Sequence, residues 1–154
     1  MKIASILLAA ATLSPALALT AYSQTVQPAG LTSLQDLHDR ARVLLVFAPR
    51  PDDPQLQIQL RSLNEQAAEA TDRELVTVAL PYNAPSPTPA TFPAQEAYNA
   101  RRRFQIAPGD FTVVLIGKDG GEKLRAHKPL SMRELNDTID SMPMRQHEVA
   151  ARHK

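Results

Sequence analysis

Apolar positions recur along the chain with different periods, and each period predicts its own element. Val43-Leu44-Leu45-Val46-Phe47 is a run of consecutive apolar residues between Arg42 and the Ala48-Pro49 break, the pattern of a strand covered on both faces. Leu75 to Leu80, after the charged Asp72-Arg73-Glu74, reads as a second such strand. Between them, Leu56, Leu60, Leu63, Ala67 and Ala70 recur every three or four residues, which lines one apolar stripe along a single helix of about four turns. Asp53 followed by Pro54 supplies an N-cap and a first helical residue. Two apolar strands joined by a helix form a βαβ unit, with parallel strands and a right-handed crossover.

The second half has a different order. Ala94, Ala97, Tyr98 and Phe104 predict a helix that closes with Arg101-Arg102-Arg103, a solvated run that suits the negative end of the helix dipole. Phe111 to Ile116 is a third buried strand, and Glu122 to His127 alternates polar with apolar residues as an edge strand does. Asp119-Gly120 between them is a hairpin signal. The Gly117-Lys118 pair is not a phosphate loop, because Thr112 stands where the first glycine is needed and Asp119 replaces the required Ser or Thr. Ser131 to Glu134 is a capping box, and Met132, Leu135, Ile139 and Met142 continue it as a helix that Pro143 ends. A short helix carrying Leu34, Leu37 and Ala41, capped by Thr32 or Ser33, precedes the first strand. From 81 to 93 the prolines permit neither helix nor strand, so this is a surface insertion. The residues from Gln146 are polar, and 149–154 are expected to form a flexible tail.

The N-terminus adds a compartment. Lys2, the apolar run Ile3 to Leu13 and the small residues after it follow the order of a secretory signal peptide, cleaved after Ala18 or after Ser23. An uncleaved anchor is the other reading, although the run is short for a span of about 20 residues. The mature protein is expected to be periplasmic or secreted, with no transmembrane segment and a single domain over 31–148. Its charges balance, which argues against a nucleic-acid partner. They are unevenly placed: Leu31 to Ala100 is acidic in balance, and Arg101 to Lys154 is basic. The absence of cysteine removes disulfides and all thiol chemistry.

Three segments together resemble the DUF4174 family: Val43 to Pro49 with Asp52 and Asp53, Val114 to Gly121, and Ile139-Asp140-Ser141-Met142-Pro143-Met144-Arg145. The resemblance covers about Leu34 to Glu148. It implies a thioredoxin-like domain, an α/β/α sandwich whose mixed sheet is built as βαβ and then ββα. It also implies an exported bacterial protein, related to a module of animal extracellular and matrix-associated proteins, and it offers no catalytic residues to carry over. Where redox thioredoxins place Cys-x-x-Cys, this chain has Ala48 to Asp53, so disulfide exchange and thiol peroxidase activity are excluded.

The candidate residues follow from position. Arg50, Asp52 and Asp53 stand after the first strand, where acid/base chemistry or a ligand would be placed, although N-capping and a surface ion pair are the preferred account of them. Lys118, Met144 and Arg145 are candidates for binding a partner, with Met142-Pro143-Met144 as an apolar edge beside a cation. The basic residues Lys118, Arg125, Lys128, Arg145 and Arg101 to Arg103 would form an anion-binding patch only if the fold gathered them. The histidines lack metal-ligand spacing, and no cofactor or metal is expected. The expectation is therefore a non-redox module that binds a protein or an envelope component. The alternative is a non-thiol enzyme using Arg50 with Asp52 and Asp53.

Overall fold

The computed structural model describes residues 33–152; the expected signal segment lies outside them. In chain order the elements are α1 (Leu34–Leu37), β1 (Arg42–Ala48), α2 (Pro54–Glu65), α3 (Ala67–Asp72), β2 (Leu75–Pro81), α4 (Ala94–Phe104), β3 (Thr112–Ile116), β4 (Glu122–Ala126), α5 (Met132–Asp140) and α6 (Pro143–Arg152). The sheet order is β2-β1-β3-β4. β1 runs parallel to β2 and antiparallel to β3, and β3 pairs antiparallel with β4. This is the expected βαβ unit followed by ββα.

Every residue of β1 is buried, which is why its apolar run lacks alternation. Leu44, Val46 and Ala48 pack on one face with residues of α2, α3 and α5. Val43, Leu45 and Phe47 pack on the other with Leu37, Ala100 and Phe104 of α1 and α4. The sheet therefore lies between two helical layers, as expected. In β4, Leu124 and Ala126 pack against the first of these cores, while Lys123 and Arg125 are exposed.

The local signals appear as read. Asp53 caps α2 by accepting from the backbone N–H groups of Gln55 (2.9 Å) and Leu56 (3.2 Å). Ser131 and Glu134 form the capping box of α5. In the β3–β4 turn Gly120 adopts φ +73, a backbone angle that an added Cβ strains, and such a Cβ would also stand 2.9 Å from the His38 ring. The insertion after β2 is irregular yet attached: the Thr88 hydroxyl accepts from the N–H of Ala79 and donates to the carbonyl of Ala90.

Three expectations are corrected. The single helix expected from Leu56 to Ala70 divides at Gln66, whose φ −120 and ψ 33 leave the helical region; α3 restarts at Ala67 and still delivers Ala70 to the core. α1 stops at Leu37, because its C-cap His38 leaves the helical region at ψ 136 before Asp39 takes φ 62, and Ala41 reaches the core from the connecting segment. Residues 143–152 form a helix, where a frayed tail was expected from Gln146. Pro143 begins α6 instead of ending α5, which stops at Asp140; the missing N–H of proline is harmless at a first helical position.

One polar side chain fastens the α2 and α5 layer. Gln59 is fully buried; its amide N–H donates to the carbonyl of Leu130 (3.0 Å), and its carbonyl accepts from the N–H of Leu130 (2.7 Å). Gln59→Leu preserves volume but leaves both backbone groups of Leu130 unpaired in the core. We expect it to lower stability by about 3 kcal/mol, read as a fall in urea midpoint, given a typical 1–3 kcal/mol for each orphaned group.

Candidate functional site

The loop after β1 holds the first set of candidates. Arg50 Nε donates to Asp52 at 3.0 Å, and both side chains are more than two-thirds exposed, so this is a surface ion pair of little energetic weight. Asp53 turns inward and its carboxylate is engaged by the two N–H groups that it caps. These residues share a loop without converging on a common point.

The end of the sheet nearest that loop is closed by Arg101. Expected as part of a solvated helix end, it is only 7% exposed. Its position on the inner face of α4 carries the guanidinium over the C-terminal ends of β1 and β2. There it donates to the carbonyls of Ala48 (2.8 Å) and Leu80 (2.7 Å), and at 3.3 Å to Ala107 beyond the helix. The rings of Phe47 and Tyr82 each lie 5.4 Å from the guanidinium carbon. Burial pulls the basicity of Arg101 below the ordinary arginine value, while Tyr82 and Asp110 act in the opposite sense. It remains charged, because an arginine starts so far above neutrality.

The opposite end of the sheet is closed by ions. Arg42, the first residue of β1, is 1% exposed and donates to the carbonyl of Arg73 (2.9 Å) and through both terminal nitrogens to the carboxylate of Glu148 (3.2 Å). Lys118, in the β3–β4 turn, joins the same carboxylate at 2.7 Å and also pairs with Glu74. Arg145 is 4% exposed; it pairs with Asp72, donates to the Asp72 carbonyl (2.9 Å) and reaches Asp140 at 3.3 Å. Arg73 meets Asp140 at 2.6 Å, and Arg152 meets Asp72 at 2.6 Å. Burial works against the charge on Lys118, but Glu148 and Glu74 outweigh it and hold the ammonium above the ordinary lysine value. Burial likewise opposes the charges of Glu148 and Asp140, yet Lys118 and Arg42 hold the first, and Arg73 and Arg145 the second, below the ordinary carboxylate range.

Beside this network lies a groove of about 260 Å³, walled by Arg42, Lys118, Lys123, Met142, Pro143 and Met144 among others. It brings together Lys118 and Met144, two of the expected binding residues. Met144 is 43% exposed, whereas Met142 is buried. Arg145 is turned away from solvent by its pairing with Asp72 and Asp140, which corrects the expectation of a cation displayed beside Met144. The basic residues of the second half do not gather into one patch either. Arg125 pairs with Glu122 and the carbonyl of Phe104, Arg103 donates to the carbonyl of Gly120, and Lys128 lies 3.8 Å from Glu134. Among the described residues no group of three or more His, Cys, Asp or Glu side chains could hold a metal, and no helix is long and apolar enough to cross a membrane.

The sequence reading missed Arg42 and Glu148, and it placed Arg101 on a solvated surface where the fold buries it. A signal for Arg42 was present: a charged residue opening a strand that is apolar on both faces needs a buried partner. Asp72-Arg73-Glu74 before β2 and Arg145 with Glu148 one turn apart were the matching charges.

Residues 33–148 match the model of a family described as Domain of unknown function (DUF4174). A curated relative, Coiled-coil domain-containing protein 80 of Danio rerio, is 30% identical over 128 residues, which is 72% of this chain and 15% of the relative. The chain thus spans a small part of that protein's length. Among solved structures, the reduced 2-Cys peroxiredoxin of Plasmodium vivax superposes with a TM-score of 0.56 at 14% identity, covering 75% of this chain and 83% of that one. Thioredoxin peroxidase I of Plasmodium yoelii gives 0.57 at 16% identity, covering 75% and 79%. At such identities the likeness is one of fold, and the fold is thioredoxin-like.

Arg101 gives a direct test of how the candidate end of the sheet is built. A lysine keeps the charge but offers a compact ammonium instead of a planar fork, so it cannot serve both strand-end carbonyls while stacking between two rings. Arg101→Lys is expected to destabilise the protein by about 2 kcal/mol in denaturant titration, in line with the loss of charged hydrogen bonds.

Proposed function

The chain belongs to the DUF4174 family, a domain whose function is unknown, and we propose that it serves as an exported, non-redox thioredoxin-like module that binds a protein or envelope component. The observation that carries this reading is the groove beside Met144. It places a half-exposed methionine and a proline next to the lysines Lys118 and Lys123, and flexible, polarizable methionine suits a surface that must fit a partner's apolar side chain. A chain without cysteine has no means of peroxide reduction or disulfide exchange through thiols, so its likeness to peroxiredoxins supports a shared scaffold and not a shared reaction. The match to a short stretch of a much longer relative supports a modular role. The rival reading, a non-thiol enzyme at Arg50, Asp52 and Asp53, has weaker support, since the Asp53 carboxylate is engaged in capping.

Crosslinking and recovery of the mature protein from its native envelope distinguishes the two. Met144→Asp is expected to abolish capture of a partner, while Asp52→Asn with Asp53→Asn leaves capture intact, asparagine being an adequate N-cap. Capture lost in the asparagine variant alone would move the site to the loop after β1. Export has its own check: intact-mass analysis of the secreted or periplasmic fraction should find a mature N-terminus at Leu19 or Gln24. A full-length protein confined to the cytoplasm overturns that part of the reading.

A further inference from the structure

We propose that α6 is a releasable strap, held on the domain by carboxylate–cation pairs instead of an apolar face, and that its release takes down one wall of the Met144 groove. A helix packed on a globular domain ordinarily presents an apolar stripe to the core. In α6 the buried residue is Arg145, while Met144 and Val149 stay exposed and Glu148 is partly covered. Its attachments are correspondingly polar, two of them from Arg145 and Arg152 to the carbonyl of Asp72 and the others ionic. Glu148 faces Arg42 from β1, Lys118 from the β3–β4 turn and, at 3.9 Å, Arg145 from its own helix; Glu74 shares Lys118. Asp72 at the end of α3 faces Arg145 and Arg152 of α6, with Arg73 at 4.0 Å. Asp140 of α5 faces Arg73 and Arg145.

Such a seam differs from apolar packing in what opens it. Apolar contacts are indifferent to protons, whereas each of these pairs fails when its carboxylate is protonated. Arg145 and Arg152 hold Asp72 below its ordinary value, and the cations named above do the same for Asp140 and Glu148. A carboxylate depressed in the folded state contributes its full stability above the unfolded range near about pH 4, and loses it as pH falls through the lower folded value. The strap is therefore closed at neutral pH and opens below about pH 4. The sheet itself is held by two apolar cores that contain none of these carboxylates. Because Pro143 and Met144 begin α6 and also wall the groove, opening the strap disassembles that wall. This last step rests on the groove reading above; the strap does not.

Hydrogen–deuterium exchange on the full chain tests it. After correction for intrinsic chemical rates, amides of 146–152 should exchange at least about tenfold faster at pH 3.5 than at pH 7, while β1 and β3 amides stay protected, the signature of a local opening. Glu148→Gln should reproduce much of that acceleration at pH 7. Asp137→Asn, which breaks the exposed pair with Arg133 outside the network, should not. Acceleration of α6 only together with β1 and β3, or no acceleration in Glu148→Gln, overturns the strap. If α6 opens as described but Met144→Asp leaves partner capture unchanged, the strap is supported and the groove reading alone is overturned.

Discussion

The structure depends on a constraint set by one strand. β1 is buried along its whole length and pairs on both edges, so neither its side chains nor its ends meet water. A strand in that position must dispose of its terminal polar groups inside the protein: the first N–H goes to the carbonyl of Glu74, the last carbonyl accepts from Arg101, and a buried guanidinium stands at each end. Arg42 starts the strand and joins it to α6, and Arg101 accepts the task at its finish by binding the carbonyls of Ala48 and Leu80. The two are not equivalent. Arg101 is answered by backbone carbonyls and aromatic rings, whereas Arg42 is answered by the carboxylate of Glu148 and the carbonyl of Arg73.

That asymmetry separates the two ends in character. The end that faces the loop after β1 is closed by neutral acceptors around a fixed cation, and the Arg50–Asp52 pair outside it is a solvent-exposed contact. The opposite end is a meshwork of charges drawn from β1, α3, the β3–β4 turn, α5 and α6. Its cations Arg42, Arg145 and Lys118 are covered while Asp72, Asp140 and Glu74 reach solvent, so the network adds little net stability, and its main liability is a covered cation left without its carboxylate. What it supplies is dependence on the arrangement of all its members.

The features legible from the sequence were the ones whose cause is local. Asp53 with Pro54, Ser131 with Glu134, and Asp119 with Gly120 each act across a few residues, and each is present as read. The strands were legible because their apolar runs report burial directly. The charge network was not, because its partners are remote in the chain: Arg42 and Glu148 are 106 residues apart, and Arg145 and Asp72 are 73 apart. Arginines on a helix look the same in sequence whether they point to solvent, as the run at 101–103 suggested, or lie beneath a neighbouring strand. Pro143 was misplaced for a related reason: proline stops one helix and starts the next by the same chemistry, and the residues after it carry no apolar stripe to mark a helix. Of the candidate site, Lys118 and Met144 do share a groove, while Arg145 faces inward and Arg50, Asp52 and Asp53 remain apart from it.

The Pro-rich insertion after β2 has an effect beyond joining two elements. β2 is the outer strand of the sheet, and open outer strands invite a second molecule to pair along them. Here the N–H of Ala79 is already taken by the Thr88 hydroxyl, and Pro81, two residues further along the same edge, has no N–H to give. That stretch of the border is closed to growth by strand addition, which leaves a second copy that pairs strand to strand the opposite border, where β4 presents the charged side chains of Lys123 and Arg125.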